Sequence, residues 1–495
     1  MNHYYKTILL ISCILMFLIL APLTIFYGLG YQYDFKKKKV IQTGAVIIKT
    51  VPSKTNVFLD GKLQNKNNFW EELLNDFVKI NQLKVGRYNL KIEKIGYHSW
   101  EKNIEIKKGM VDRLDNVVLL PASPKIKNVI TGNINDFWFS DDRNKIVYTT
   151  FNNQKNITLK AITLNKSPTN INKFKLLPLK ENSEINNLKW SKDSKNIIFE
   201  IVINKNLKTE NSRFYLINLE ENKIINLGKD FKLVSSKQWS VKNSDIFYLR
   251  NGDLYRINYS ARSINLFLKN ISAYTVKNNF IYYVKSTPVD FKTAVYKIRN
   301  NGLLDESLIT ELPAKEKFDK IKISADDQII LKSKEGNLYL VENNNNRNSK
   351  LINSSVADFN FSKEKDKFFY FNNHEIWVYY LKEKTSQPVK EKYANELIAR
   401  FSGEIKAAAW YSDSEHLFFQ VEKTIKFIEL DDRDKRNCYD FVELNNSNNS
   451  LFNREELGAA IDQNNFLIFD PKKNKLYFLD KADGGNILRE VSIFL

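Results

Sequence analysis

The amino-acid sequence predicts an almost all-β protein that begins with a single membrane-spanning helix. Three observations lead to this fold class. Positions 8–30 are apolar and uncharged, positions 42–121 contain short strands with a two-residue alternation, and a strand-rich pattern repeats from position 122 to position 495. The expected order is a helix, a small β-sandwich and a seven- or eight-bladed β-propeller.

The N-terminal run is long enough to cross a membrane. After a short tail at positions 1–7, residues 8–30 at a rise of about 1.5 Å each match the roughly 30 Å hydrocarbon layer of a bilayer. A kink at Pro22 would be tolerated there. Tyrosines, whose rings favour the membrane interface, lie near both ends: Tyr4, Tyr5, Tyr27, Tyr31 and Tyr33.

Two other interpretations of this run stay open. A cleaved signal peptide has a shorter apolar region and a small-residue cleavage site, and no clean site follows here. A lipoprotein signal is suggested by Leu10-Ile11-Ser12-Cys13, but the apolar run before Cys13 is short and continues beyond it. An uncleaved anchor is therefore the favoured interpretation, followed by a basic linker at positions 31–41.

The composition favours a folded basic protein without a nucleic-acid partner. The 495 residues include 76 Lys and Arg against 57 Asp and Glu, for a net charge of +19. The excess is mostly lysine spread along the chain, with no dense arginine patch, so a solvated surface explains it better than nucleic-acid binding. Anionic partners such as phospholipid headgroups or wall polymers remain compatible. Two cysteines, Cys13 and Cys438, do not form a disulfide framework.

Alternating strands and turn residues define the small domain at positions 42–121. Strands are expected at 44–49, 56–59, 86–94, 104–106 and 117–120. The insertion at 69–80 has apolar residues at helical spacing. It predicts a helix packed on the sandwich, with a partner-binding helix as the alternative.

Two motifs give this domain a resemblance to a known family. Leu83-Lys84-Val85-Gly86-Arg87-Tyr88 stands where the PEGA domain has Leu-x-Pro-Gly-x-Tyr, and Lys94-Ile95-Gly96-Tyr97-His98-Ser99-Trp100 matches its Lys-x-Gly-Tyr-x-x-Trp stretch. The segment therefore resembles the PEGA domain, a small β-sandwich common in bacterial surface proteins. It departs at the name-giving Pro-Glu-Gly-Ala, where Pro52-Ser53-Lys54-Thr55 stands.

Two apolar elements recur after position 122. The first is an aromatic or apolar residue followed by serine, a polar turn and a strand, as in Trp138-Phe139-Ser140 and Trp190-Ser191; later copies begin at Trp239, Ile323, Phe361, Trp410 and, in degenerate form, Ala460. The second element has its central residues 38 to 56 positions apart, at Leu159, Tyr215, Tyr255, Tyr296, Tyr339, Trp377, Lys426 and Tyr477. Eight copies imply eight blades, or seven if the first or the weak fourth is not a blade.

These turns resemble those of the WD-repeat-like propellers of bacterial periplasmic proteins, although they lack the Trp-Asp ending. A serine and an aspartate that recur in many blades are expected to hydrogen-bond the turn backbone rather than to bind calcium. The aromatic residue before each serine is expected in the core between blades rather than on a glycan-stacking platform.

No catalytic, cofactor-binding or metal-binding residue is predicted. The sequence has no Gly-x-Ser-x-Gly, no His-Glu-x-x-His, no phosphate-binding loop and no EF-hand loop. His374 and His416 are expected at the surface, and the mixed-sign loop at 431–436 is expected to be solvated. The Asn-rich stretches at 343–346 and 445–449 predict loops.

Helix, PEGA-like module and propeller together imply a membrane-anchored, non-enzymatic protein of the cell envelope that binds or scaffolds a protein or a wall polysaccharide. The lysines at 36–39, taken alone, would place the body in the cytoplasm. The resemblance to envelope modules favours a body outside the cytoplasm. The alternatives are a propeller-type glycan-active enzyme with carboxylates in its funnel and a cytoplasm-facing membrane scaffold.

Overall fold

A computed structural model of the chain describes most of the sequence. The described residues are 3–35, 38–64, 77–132, 134–140, 142–151, 157–164, 171–174, 183–191, 193–203, 211–227, 232–233, 245–250, 252–258, 263–286, 293–300, 306–312, 316–342, 348–445, 467–482 and 485–494. Within these ranges one helix precedes 41 strands.

The helix α1 (His3–Gly28) begins before the predicted apolar run at 8–30, continues through Pro22 and ends two residues before the end of that run. Its apolar side chains are open on all sides, with Leu20 at 45% and Phe17 at 69% exposure among them. A segment of 25 residues, Tyr4–Gly28, is long and apolar enough to cross a membrane.

A short β-hairpin follows the helix where the sequence predicted a basic linker. Strands β1 (Tyr31–Asp34) and β2 (Lys39–Gln42) pair antiparallel, with Tyr33 opposite Val40. The alternation Tyr31, Tyr33, Phe35 places three aromatic residues on one face, which is the period of a strand rather than of an irregular linker.

Two facing sheets form the small domain and enclose one apolar core. One sheet has the order β6-β3-β9 and the other β5-β4-β7-β8. Their strands are β3 (Gly44–Val51), β4 (Asn56–Leu59), β5 (Lys62–Leu63), β6 (Phe77–Leu83), β7 (Gly86–Glu93), β8 (Trp100–Ile106) and β9 (Val111–Val118). Val46, Leu90 and Trp100 are almost fully buried between the sheets.

The helix predicted at 69–80 is wrong over its last four residues. Phe77 to Ile80 belong to β6, where Val78 and Ile80 alternate with exposed Lys79 and pair with β3. A short apolar run fits the residue spacing of a helix as well as that of a strand, and here pairing with β3 makes these residues a strand. Positions 69–76 lie outside the described residues.

Eight four-stranded sheets form the propeller, in agreement with the predicted architecture. The first four sheets contain β11 (Ile134–Phe139), β12 (Lys145–Phe151), β13 (Ile157–Thr163) and β14 (Ile171–Phe174); β15 (Ser183–Trp190), β16 (Asn196–Ile203), β17 (Asn211–Asn218) and β18 (Lys223–Asn226); β19 (Lys232–Leu233), β20 (Asp245–Arg250), β21 (Asp253–Asn258) and β22 (Ser263–Leu268); and β23 (Ile271–Lys277), β24 (Phe280–Ser286), β25 (Thr293–Arg299) and β26 (Ser307–Leu312).

The last four sheets complete the ring. They contain β27 (Phe318–Ile323), β28 (Ile329–Ser333), β29 (Leu338–Val341) and β30 (Ser349–Asn353); β31 (Asp358–Phe361), β32 (Lys367–Phe371), β33 (Glu375–Tyr380) and β34 (Asn395–Arg400); β35 (Ile405–Trp410), β36 (His416–Val421), β37 (Thr424–Glu429) and β38 (Cys438–Glu443); and β39 (Leu467–Asp470), β40 (Lys475–Ala482), β41 (Gly485–Ser492) and β10 (Ile126–Ile130). The eight predicted central residues fall in eight different sheets, in β13, β17, β21, β25, β29, β33, β37 and β40.

The ring is closed by a strand from the other end of the propeller sequence. In the last sheet β10 pairs antiparallel with β41, so Ile126 lies opposite Val491 and Lys127 opposite Glu490. A sheet that combines the first and last strands leaves few open edges.

The recurring serine has the predicted structural role in its turn. The Ser140 hydroxyl accepts a hydrogen bond from the Lys145 backbone N at 3.0 Å and donates to Asp142 at 2.5 Å. Ser191 accepts in the same way from the Asn196 backbone N at 2.9 Å. These bonds satisfy the turn backbone, as expected for serine and aspartate in such positions.

The aromatic residues before these serines lie in the core between blades, as predicted. Trp138 of the first blade is 7% exposed and packs among residues of the second blade, including Ile185 and Leu188. Trp410 of the seventh blade lies 5.5 Å from Phe369 of the sixth, between ring centroids. The copies at Trp239 and Ala460, and most of the two Asn-rich stretches, lie outside the described residues.

Candidate functional site

The sandwich docks on the seventh blade through charged side chains that are buried. Trp100 and Lys102 of β8 are 1% and 0% exposed and reach Glu429 at the end of β37, which is 3% exposed. The Trp100 indole Nε1 donates to Glu429 Oε2 at 2.8 Å, and Lys102 Nζ lies 2.8 Å from Glu429 Oε1. Lys102 Nζ also donates to the Asp431 carbonyl oxygen at 2.7 Å.

The carboxylate of Glu429 has further donors on its own blade. The Asn437 backbone N and side-chain Nδ2 both donate to Glu429 Oε1, at 2.8 and 2.9 Å. A buried carboxylate with a cation and three further hydrogen-bond donors is well compensated for its loss of water. We call the group formed by Trp100, Lys102, Glu429 and Asp431 the junction cluster.

An arginine extends the junction cluster to the second sheet of the sandwich. Arg433 contacts Asp431 at 2.6 Å and Asp112 of β9 at 2.5 Å. Burial raises the pKa of Asp112 despite the nearby Arg433 guanidinium. Burial also acts on Asp431, but Arg433 and Lys102 outweigh it, so the pKa of Asp431 falls.

Weaker contacts surround the charged groups. Asp434 accepts hydrogen bonds from the Asn103 backbone N and Nδ2 at 2.9 and 3.1 Å. The His98 ring stacks on Tyr439 with ring centroids 5.3 Å apart, and the Tyr439 hydroxyl donates to the Ser99 carbonyl at 3.0 Å. Val118 and Leu120, at the end of the sandwich, also pack into the apolar core of the seventh and eighth blades. The sandwich and the propeller therefore share both a polar and an apolar contact.

A buried histidine lies on the propeller side of this junction. His416 is 2% exposed, its Nδ1 is 2.8 Å from Asp413 Oδ2, and its ring stacks on Phe427 at 4.8 Å. Burial by itself lowers the pKa of His416, but Asp413 and the carboxylates of Glu429 and Glu415 outweigh burial, and the pKa rises. The pKa of Asp413 is correspondingly lowered against the effect of burial.

This ion pair arises from a change in the recurring turn. In the seventh blade the Tyr411 backbone N donates to the His416 carbonyl at 3.0 Å, the bond that Ser140 and Lys145 make in the first blade. Tyr411, not Ser412, therefore occupies the serine position. Without a serine hydroxyl at this position, Asp413 binds the imidazole of His416 instead.

A small cavity lies between the two domains at this point. Its volume is about 20 Å³, enough for about one water-sized sphere, and its lining includes Trp100, Leu114, Pro388, His416 and Glu429. A sugar or metabolite does not fit in it. The junction is therefore suited to fixing the orientation of two domains, since its charged groups face each other and not an open cleft.

A buried acidic residue of the sixth blade is also paired with a lysine. Asp358 of β31 is 2% exposed, and Lys320 of β27 in the preceding blade lies 2.5 Å from its Oδ1. Two residues further along each strand, Lys322 Nζ donates to Asn360 Oδ1 at 2.9 Å. These contacts join two blades and leave the Asp358 carboxylate without exposure for acid–base chemistry.

Two sequence predictions about this region are wrong. His416 was expected at the surface and is buried, whereas His374 is exposed as predicted. The loop at 431–436 was expected to be solvated, but Asp431 and Arg433 contact the sandwich. Among the described residues, no group of His, Cys, Asp or Glu is arranged to hold a metal ion.

The sequence of β8 contains a signal for the junction cluster. In β8 the buried positions alternate as Trp100, Lys102, Ile104 and Ile106. A lysine at an inward position among apolar residues predicts a buried charge, and hence a carboxylate partner. The partner itself, 327 positions later in the sequence, was not predictable without the fold.

Comparisons with known proteins give no family. No family model and no curated protein matches the chain. The WD40 domain of Sif2 shares 12% identity at a TM-score of 0.45, with 74% of this chain and 98% of that structure aligned. The Dos1 propeller shares 13% identity at 0.45, with 75% and 96% aligned.

Another structural neighbour is an enzyme. Dipeptidyl peptidase 4 of Porphyromonas gingivalis shares 11% identity at a TM-score of 0.39, with 69% of this chain and 54% of that structure aligned. At these identities and TM-scores the neighbours say nothing about activity or partners. The resemblance of positions 42–121 to the PEGA domain stays a prediction.

Proposed function

We propose that this protein is a membrane-anchored scaffold of the bacterial cell envelope. The helix α1 holds it in the membrane, the PEGA-like sandwich acts as a rigid stalk, and the propeller presents a broad surface to an envelope protein or a wall polysaccharide. In this proposal the chain has no catalytic activity and needs no cofactor.

The junction cluster is the observation that carries the proposal. If the sandwich only tethered the propeller, a flexible linker between the two domains would be sufficient. Instead, Lys102 of the sandwich and Glu429 of the propeller form a buried ion pair that fixes one domain on the other. The hairpin and the sandwich are also joined, through Lys84 and Asp34 at 2.9 Å. A path of packed contacts therefore leads from the end of α1 to the seventh blade, as a rigid scaffold requires.

The exposed surface of α1 supports the membrane part of the proposal. Large apolar side chains such as Phe17, Ile19 and Ile25 are 60–69% exposed along a helix of 26 residues. An apolar surface of this size in water is unfavourable, and a lipid bilayer is the environment that matches its length.

Membrane attachment is tested by fractionation of cells that make the full chain. We expect the protein to remain in the membrane pellet after alkaline carbonate and to float with the lipid on a density gradient. Release of an intact chain into the soluble fraction would contradict an anchor. A shortened soluble chain would indicate a cleaved signal peptide.

The orientation of the propeller is tested by labelling Cys438 in intact cells with a membrane-impermeant maleimide. The Cys438 thiol is exposed on strand β38, and Cys438→Ser is the matched control for labelling at Cys13. Labelling before lysis is expected. Labelling only after lysis would support the cytoplasm-facing scaffold that the lysines at 36–39 predict.

The binding role is tested by cross-linking in cells followed by purification from solubilised membranes. We expect one envelope protein or wall polymer to be recovered reproducibly with the wild-type chain. Lys102→Met, which loosens the junction and leaves the propeller surface unchanged, should reduce that recovery if a rigid orientation matters. Failure to recover any reproducible partner would contradict the proposal.

A further inference from the structure

The hairpin after α1 has an exposed aromatic face. Tyr33 and Val40 are cross-strand partners and are 47% and 61% exposed, and Phe35, two residues after Tyr33, is 83% exposed. The rings of Tyr33 and Phe35 meet edge to face, with centroids 5.1 Å apart. Lys38 lies in the turn, Lys39 lies opposite Asp34 on the second strand, and both side chains are exposed.

The opposite face of the hairpin is fixed to the sandwich. Asp34 is 6% exposed, and Lys84 Nζ donates to its Oδ2 at 2.9 Å. Neighbouring residues of a strand point to opposite faces, so the tether at Asp34 holds Tyr33 and Phe35 facing outward. The aromatic face is thus held exposed by the fold.

The hairpin lies next to the end of the membrane helix. The Thr43 backbone N donates to the Gly30 carbonyl at 2.8 Å, and the Tyr31 ring centroid is 5.3 Å from that of Phe26 in α1. A four-residue strand extends about 13 Å. The whole hairpin is therefore within reach of the headgroup layer and the roughly 10 Å over which surface charge acts.

A second basic turn lies at the same end of the sandwich. Lys107 and Lys108 are exposed, and Met110 beside them is 59% exposed. The turn is bound to the helix end, because the Gly109 backbone N donates to the Thr43 carbonyl at 3.1 Å. We call this turn and the hairpin the membrane-proximal end of the sandwich.

We propose that the membrane-proximal end binds the anionic phospholipid headgroups of the bilayer that holds α1. Aromatic rings favour the interface between headgroups and acyl chains, and lysines near an anionic leaflet are attracted to it. The surface is continuous with the apolar helix, and its charge is positive. These two features favour lipid over a protein partner. The inference rests on the proposed membrane anchor and assigns the hairpin as a second contact that fixes the tilt of the sandwich.

The test uses the full chain reconstituted in lipid nanodiscs. Cys13 and Cys438 are replaced by serine, and an environment-sensitive fluorophore is attached at Val40→Cys. The matched control probe is Gln32→Cys, which is exposed on the other face of the same hairpin. Discs contain zwitterionic lipid alone or with anionic lipid, and a nitroxide on the headgroup quenches nearby probes.

We expect the Val40 probe to be quenched and shifted to shorter wavelength in anionic discs, and the Gln32 probe to change less. Lys38→Ala with Lys39→Ala should lower the ratio of lipid-bound to unbound hairpin about 25-fold at low salt, since each lysine near the surface contributes about fivefold. Lys334→Ala with Lys350→Ala makes the same charge change at exposed positions of the propeller and should have no effect.

Equal quenching of the two probes, or quenching that does not depend on anionic lipid, would overturn the inference. The same holds if the propeller variant and the hairpin variant behave alike. Flotation of each reconstituted sample is measured in parallel. A chain that floats while its Val40 probe stays in water retains the anchor and loses only the headgroup site, whereas a chain that does not float contradicts the proposed anchor itself.

Discussion

Replacing Lys102 with methionine should loosen the junction between the sandwich and the propeller. Methionine keeps most of the length and packing of the lysine side chain but removes its ammonium group. The change leaves Glu429 buried without its cation and removes the hydrogen bond to the Asp431 carbonyl. It does not change any residue on the exposed surface of the propeller.

The expected loss of stability follows from what Glu429 retains. Breaking a buried ion pair by removing one partner costs about 3–5 kcal/mol. Glu429 keeps three donors, namely the Trp100 indole and the two Asn437 groups, so the lower end of about 3 kcal/mol applies. Divided by the unfolding entropy expected for a domain as large as the propeller, a loss of about 3 kcal/mol corresponds to a fall in Tm of about 4 °C.

Calorimetry of the detergent-solubilised chain measures this effect, and limited proteolysis identifies which part opens first. Lys49→Met is the matched control, because Lys49 is an exposed lysine of the same domain. Its substitution should change stability by less than about 0.5 kcal/mol. The double variant Lys102→Met with Glu429→Gln should lose less stability than the sum of the losses of the two single variants, because each single substitution already removes the same ion pair.

The reasoning would be refuted if Lys102→Met and Lys49→Met melted at the same temperature. It would also be refuted if the losses of the double variant were fully additive. Either result would mean that the ion pair contributes no net stability and that the other contacts, among them the apolar contact of Val118 and Leu120 and the pair of Arg433 with Asp112, join the domains.

Three further predictions concern single side chains. Asp413 outweighs burial and raises the pKa of His416, so the charged imidazole stabilises the fold below its ordinary pKa of 6.5, and this contribution is lost as the pH rises through the raised value. The wild type should therefore lose stability relative to His416→Gln above about pH 6.5. Parallel curves of Tm against pH for the two proteins from pH 6 to 9 would contradict this. Although the Cys438 thiol is exposed at the surface, the neighbouring atoms reduce the hydration of its thiolate and raise its pKa to about 11. Its maleimide labelling should therefore speed up about tenfold per pH unit between pH 7 and 9; a rate independent of pH would argue against it. Ser191→Ala removes a hydroxyl that satisfies the turn backbone and should lower the free energy of unfolding by about 1–2 kcal/mol in a denaturant titration, whereas an unchanged midpoint would show that the turn does not need it.

The architecture was predictable because its signals are local and repeated. Most blades carry a related turn after the first strand and an apolar stretch in the second or third strand, so several weak copies reinforce one another. Residues such as Tyr215 and Tyr339 could be placed in successive blades from spacing alone. The order of helix, sandwich and propeller followed from the change in hydrophobic period along the chain.

The junction was less predictable because its contacts are distant in sequence. Lys102 and Glu429 are joined only when the ring has closed and the sandwich has docked. The burial of His416 was not predictable because the sequence pattern suggests Ser412 for the serine position of the seventh turn, whereas the backbone places Tyr411 there. The hairpin at 31–42 was not predictable because its lysines interrupt the aromatic alternation.

The pairing of β10 with β41 has a consequence for biosynthesis. The two strands are separated by about 360 residues, which a ribosome adds in roughly 20–70 s. During that interval β10 has been made but its partner has not, and the edges of the growing blades stay open to other chains. A helix inserted early in the membrane would keep each nascent chain apart from its neighbours until β41 arrives. With the apolar helix first and the closing strand last, the order of the segments would in that case favour intramolecular closure over aggregation.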